Sequence, residues 1–410
     1  MQNFEKKLDK YAELAVKFGV NIQQGQILTI RSAIEAAELT RKVVKKAYEA
    51  GAKHVYVDWS DEVTSRTKYE LAPDEAFTEV PNWYKTMHDE FVDKEAAILQ
   101  IVSQDPDLLK GIDPQRIANY QKTAGAALMK FRKAMMSDKI SWCIIAAAGK
   151  DWADKIYPES DNSVEELWNA IFKAVRIDDT DSDPVEAWKK HDETLHSKAD
   201  YLNNKGYKYL HYKAPGTDLT VQLSEKHKWC GAGSVNAKGN TFMANMPTEE
   251  VFSVPFKDGT NGTVTSTKPL SYAGNILTNF SLTFENGKVI DANAEQGEDV
   301  LRHLLDTDEG SRYLGEVALV PHQSPISNTN TLFYNTLFDE NASNHLAIGA
   351  GYPFCLHGGK EMGTEELAQH GVNHSMTHVD FMIGSAEMDI DGELPDGTRE
   401  PIFRKGNWAF

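Results

Sequence analysis

Between Glu316 and Asp380 the chain crowds together side chains that can bind a cation. Five of its thirteen histidines, His345, His357, His370, His374 and His378, fall between Glu340 and Asp380, interleaved with carboxylates and with residues of strand character. Polar groups inside apolar flanks cost several kcal/mol, roughly, if buried without partners, so the cluster needs water or a cation. Mixed imidazole and carboxylate donors suit zinc, cobalt, manganese or iron.

Each position has its own logic. In Thr377-His378-Val379-Asp380, His378 and Asp380 stand two apart in an expected strand, so both point to one face and can share a metal; a lone His-x-Asp is also a common surface pair. Glu316 interrupts the apolar run Tyr313-Leu-Gly-Glu-Val-Ala-Leu-Val320, where a carboxylate is out of place unless partnered. Glu340 and His345 flank Asn-Ala-Ser-Asn, a spacing that fits ligands at either end of a turn. The pair Glu249-Glu250 follows Pro247, on an extended rigid loop or at a helix cap. Taking Glu250 from that pair, Glu250, Glu316, Glu340, His345, His378 and Asp380 make six donors, more than one tetrahedral zinc needs and suited to two metals.

The elements that must hold these residues are legible as two textures. In the first half, Phe4, Leu8, Tyr11, Leu14, Ala15 and Phe18 recur at helical spacing. Apolar runs at Ile27–Ile30, His54–Val57, Ala97–Val102 and Trp142–Ala146 alternate with helices, one over about 34–50 stopped by Gly51 and one opened by Asp113-Pro114. Such alternation implies a mostly parallel sheet covered on both faces, an α/β domain. Further helices start at Ser163, with Glu166 completing a capping box, and at Asp183-Pro184. Neither GxGxxG nor GxxxxGK[ST] occurs in this half, which removes the usual nucleotide-binding roles of such a sheet.

After Gly206 short strands dominate: Tyr207–Tyr212, Leu219–Leu223, and Phe280–Phe284 turning through Asn286-Gly287 into Lys288–Ile290. Turn signals at Asp258-Gly259 and Asn261-Gly262, and helices near Glu298–Leu305 and Thr364–His370, complete an α+β C-terminal domain rich in antiparallel strands. The expected division is an α/β domain over 1–200 and a metal-binding catalytic domain over 201–410.

Composition excludes other classes. A formal net charge of −18 disfavours nucleic acid and anionic membranes as partners, and no run is long enough to cross a bilayer. The amphipathic start Met1-Gln-Asn-Phe-Glu-Lys-Lys-Leu has no signal-peptide core, so a cytoplasmic location is expected. Cys143, Cys230 and Cys355 are too few and too scattered for a disulfide framework or a thiolate site.

Asn245-Met-Pro-Thr-Glu-Glu-Val-Phe252, Gly315-Glu-Val-Ala-Leu-Val-Pro321, Leu337-Phe-Asp-Glu-Asn-Ala-Ser-Asn-His345, Gly351-Tyr-Pro353 and His378-Val-Asp-Phe-Met-Ile-Gly384 resemble, in order, the motifs of the thermophilic aminopeptidases, the M29 metallopeptidase family. The resemblance implies a metal-dependent aminopeptidase acting on peptides with a free N-terminus. It also implies two divalent ions (zinc, cobalt, manganese or magnesium) and a homodimer. Carried over, the ligands are Glu250, Glu316, Glu340, His345, His378 and Asp380, with Glu316 as bridge and Tyr352 as catalytic tyrosine. From the residues alone Tyr352 reads first as an aromatic turn residue before Pro353, and Glu316 and Glu249 both remain open as proton carrier. Overlapping ligand sets leave an amidase, a phosphoesterase or a metal-stabilised scaffold as alternatives.

Overall fold

The N-terminal helix, Gln2–Leu14, buries Leu8, Tyr11, Ala12 and Leu14 and continues as a π-helical turn over Ala15–Gly19. A computed structural model of the protein describes residues 2–178 and 182–410. These form two compact units, Met1–His191 with Gly233–Pro247, and Asp192–Ala232 with Thr248–Phe410.

In the first unit the strands Ile27–Ala33, His54–Ser60, Ala97–Val102 and Trp142–Ala146 pair in parallel, with Ile27–Ala33 between the second and third. Helices intervene, among them Ala37–Glu49 and Pro114–Ala127, the latter capped by Asp113, which accepts from the Gln115 N–H at 2.8 Å. The Tyr11 hydroxyl accepts from the Ala146 N–H at 3.1 Å, seating the first helix on the sheet. Gly233–Pro247, beyond the division expected near residue 200, pairs alongside the fourth strand. There the Ile144 N–H donates to the Ala244 carbonyl and the Met246 N–H to the Ile144 carbonyl.

The second unit holds an eight-stranded antiparallel sheet, from Lys288–Asn293 at one edge through Pro255–Thr265 and Thr217–Leu223 to Asn407–Trp408 at the other. A separate four-stranded antiparallel sheet runs His378–Met382, His345–Gly349, Leu314–Leu319, Val251–Ser253. The expected fold classes are thus both present: a parallel α/β unit and an α+β unit of antiparallel strands. Among the described residues no helix is long and apolar enough to cross a membrane.

Two local expectations fail for identifiable reasons. Asp258-Gly259 and Asn261-Gly262 do not turn the chain but lie inside the bulged strand Pro255–Thr265. Gly262 (φ +112°) passes so close to the Asp218 carbonyl that no side chain fits, so these glycines serve strand approach. The Ser163 capping box does not form, because the Ser163 hydroxyl donates to Asp154 at 2.5 Å and Glu166 accepts from Ser160.

Glu316 is positioned by a bulge. Between Leu314 and Glu316 the register against His345–Gly349 slips by one residue, at Gly315, where a Cβ would run into the carbonyl oxygens of Gly349 and Ala350. Gly315→Ala should therefore destabilise the fold by roughly 1–3 kcal/mol through overpacking, seen as a lower denaturation midpoint. An unchanged midpoint would mean that the two strands can separate at no cost.

Candidate metal centre

Side-chain parity in the four-stranded sheet explains why residues far apart in sequence converge. Glu316, Ala347 and Asp380 lie in one cross-strand row, and Phe252, Ala318, His345 and Met382 in the next but one. Residues two apart on a strand share a face, so Glu316, His345, His378 and Asp380 project together. Continuing the alternation from Phe252 brings Glu250 to the same side. Ala347, small and placed between Glu316 and Asp380, leaves the space those carboxylates use.

Two groups of potential ligands result, Glu250 with Glu316 and His345, and Glu316 with His378 and Asp380, the donor atoms of each lying within 4.8 Å of one another. Glu316 belongs to both. Its Oε1 is 3.7 Å from His345 Nε2 and its Oε2 is 3.6 Å from His378 Nε2. Glu250 Oε2 is 3.1 Å from His345 Nε2, and Asp380 Oδ1 is 3.5 Å from His378 Nε2. Glu250, Glu316 and His345 are buried, while His378 and Asp380 form the more open side. Glu340, at the head of the turn Glu340–Ala342, is buried beside them and feels the charges of Asp380, Glu250 and Glu316 without joining either group. Glu249 is buried as well. Tyr352 packs against the His378 ring at 4.7 Å between centroids and stacks on Phe354 at 5.1 Å.

Both imidazoles are oriented by backbone carbonyls, which no side-chain pattern in the sequence announces. His345 Nδ1 is 3.1 Å from the Ser343 carbonyl and His378 Nδ1 is 2.7 Å from the Ala350 carbonyl. A carbonyl only accepts, so each Nδ1 carries a proton and donates it. Each neutral ring then turns a bare Nε2 toward carboxylates, lone pair against anion, unless a cation lies between. His345 Nε2 and Glu316 Oε2 are buried and make no hydrogen bond. The donor set and these orphaned atoms fit a divalent cation.

Without metal, protons take over part of that role. Burial pushes the Glu316 carboxyl up to about 7, against the pull of His345 and His378, and pushes Glu340 well above the carboxylate range. Burial lowers the His378 pKa, but Asp380 and Glu316 outweigh it and raise the imidazole to about 9. His345 is raised well above its usual value by Glu250 and Glu316 in spite of burial. Asp380 is opposed by burial yet held low by His378.

The thermophilic metalloprotease (M29) model matches residues 4–408. The chain is 56% identical over its whole length to aminopeptidase AmpS of Bacillus subtilis and 40% identical over its whole length to aminopeptidase T of Thermus thermophilus, each also covered in full. This chain belongs to the M29 metalloprotease family. Its fold is that of the solved wild-type AmpT from Thermus thermophilus, with a TM-score of 0.92 at 39% identity, covering 99% of this chain and all of the other. As an M29 member the chain is a metal-dependent peptidase, a hydrolase of peptide bonds.

The titrations give a signed expectation. His378, raised to about 9, stabilises the metal-free protein below about pH 6.5 and loses that contribution as pH rises through 9; Glu316, raised to about 7, likewise penalises folding as pH rises through 7. A metal binds the deprotonated forms, so its stabilisation grows in the same direction. The melting-temperature difference between metal-loaded and chelator-treated protein should widen from about pH 6 to about pH 9. A difference independent of pH would remove these groups from the site.

Proposed function

We propose that the chain is a two-metal aminopeptidase, releasing N-terminal residues from peptides, with its catalytic residues in the 201–410 region. The observation that carries this is the Glu316 carboxylate, which offers one oxygen to each of two ligand groups. Glu250 and His345 would hold one ion, His378 and Asp380 the other, with Glu316 between them and Glu340 completing the set. Charge supports the number: four carboxylates and two neutral imidazoles sum to −4, which two divalent cations balance. Zinc, cobalt, manganese or magnesium satisfies that arithmetic, and the imidazoles favour the first three.

Bound cations of this kind lower the pKa of water and polarise a carbonyl. The protein supplies the rest. Burial, with Glu316 and Asp380 adding to it, keeps the Tyr352 hydroxyl protonated well above the usual tyrosine range, so it can donate to an oxyanion forming beside His378. A free α-amine, unlike an acetylated one, can coordinate a bound cation or pair with a carboxylate of the ligand set, which would place the first peptide bond at the cluster. Assembly as a homodimer and a cytoplasmic location belong to the same proposal and rest on the family resemblance and on sequence composition.

Glu316→Gln should reduce peptide hydrolysis more than about tenfold with circular dichroism unchanged, because the amide is nearly isosteric but a poor bridge. A free tripeptide should be shortened one residue at a time, and its N-acetyl form should resist. Comparable rates on the two peptides, or early cleavage at an internal bond, would rule out an aminopeptidase.

A further inference from the structure

Asn341 has no part in the chemistry described so far, yet it is fully buried and bonds both the Glu340 side chain and the backbone of Glu249, the neighbour of Glu250. Its Oδ1 accepts from the Glu249 N–H at 2.7 Å, across ninety-two residues of chain. Its Nδ2 donates to the Leu337 carbonyl at 3.0 Å and to Glu340 Oε1 at 3.3 Å. The amide orientation is not arbitrary, because a backbone N–H can only donate and a carbonyl can only accept, so one partner fixes the oxygen and the other the nitrogen. The backbone is pinned too: the Ser324 hydroxyl donates to the Asn341 carbonyl at 3.0 Å.

We propose that Asn341 is a positioning residue, its amide setting the Glu340 carboxylate against the Glu249–Glu250 segment so that both reach the same cation cluster. This rests on the ligand roles proposed for Glu340 and Glu250. A planar side chain with opposed donor and acceptor does what neither segment achieves alone. It satisfies a buried N–H at the entry to Val251–Ser253 and turns one oxygen of Glu340, leaving the other for a cation. Aspartate would keep the acceptor but replace both donors with an anion facing Glu340. A serine hydroxyl is too short for all three contacts, and it leaves room for water at the Glu249 N–H.

The test is zinc affinity, measured by chelator competition on folded, metal-stripped protein well below its melting temperature. Asn341→Ser should weaken zinc binding by roughly 10- to 100-fold, the usual effect of losing a group that orients a ligand. Placed in a Glu340→Ala background, the same substitution should change affinity by less than about threefold, because the carboxylate through which it acts is gone. Should Asn341→Ser not fold, Asn341→Thr, equally uncharged and equally too short to span Glu249 and Glu340, carries the same expectation. Zinc affinity unchanged in Asn341→Ser but lost in Glu340→Ala overturns the positioning role alone. Equal losses in both backgrounds overturn it as well, and unchanged affinity in Glu340→Ala removes the ligand role and the positioning role together.

Discussion

Repulsion among carboxylates held on one face of a small buried sheet is the constraint around which the second unit is arranged. Glu250, Glu316 and Glu340 are each buried, and Asp380 adjoins them. An isolated buried charge of this kind would neutralise or unfold its surroundings. The backbone answers by fixing two imidazoles through the Ser343 and Ala350 carbonyls, so that their free nitrogens enter the anionic space. Alternation along the strands does the remainder, since a shift of one residue in any strand would send its donors to the opposite face. The Gly315 bulge resets that alternation in this sheet, and it immediately precedes the residue common to both groups.

Much of this is legible in the sequence. The spacing of His378 and Asp380 alone places them on one face, and Glu316 in an apolar run stands out as a carboxylate that needs a partner. The parallel sheet followed from alternating apolar runs, and its four strands lie where those runs are. What the sequence did not disclose is equally specific. Asp258-Gly259 and Asn261-Gly262 carry the composition of turns, but composition cannot distinguish a chain that reverses from one that must pass close to the Asp218 carbonyl. Ser163 has the type of a capping residue, and only the three-dimensional proximity of Asp154 diverts it. Carbonyls that orient imidazoles are invisible in principle, because every residue has one.

Glu340 shows the intermediate case. Its spacing from His345 marked it as a candidate, and the structure buries it within range of the other charges, yet it stands outside the two close groups. Sequence spacing locates a residue on an element but does not set the last few ångströms of a side chain. Those depend on neighbours such as Asn341, whose partners come from a different part of the chain.

The excursion Gly233–Pro247 has a consequence for dissecting the protein. The polypeptide passes from one unit to the other at residue 191, returns at 232 and leaves again at 247, just before the Glu249-Glu250 pair. No single cut can therefore liberate either unit whole. A fragment ending near residue 200 would lack the segment that bridges to Trp142–Ala146, leaving the Ile144 N–H and carbonyl unpaired on an apolar strand. The complementary fragment would carry that same segment without its template. The two halves are interleaved in sequence although each is compact in space, and inheritance of one without the other is closed to this chain except by rewiring its connections.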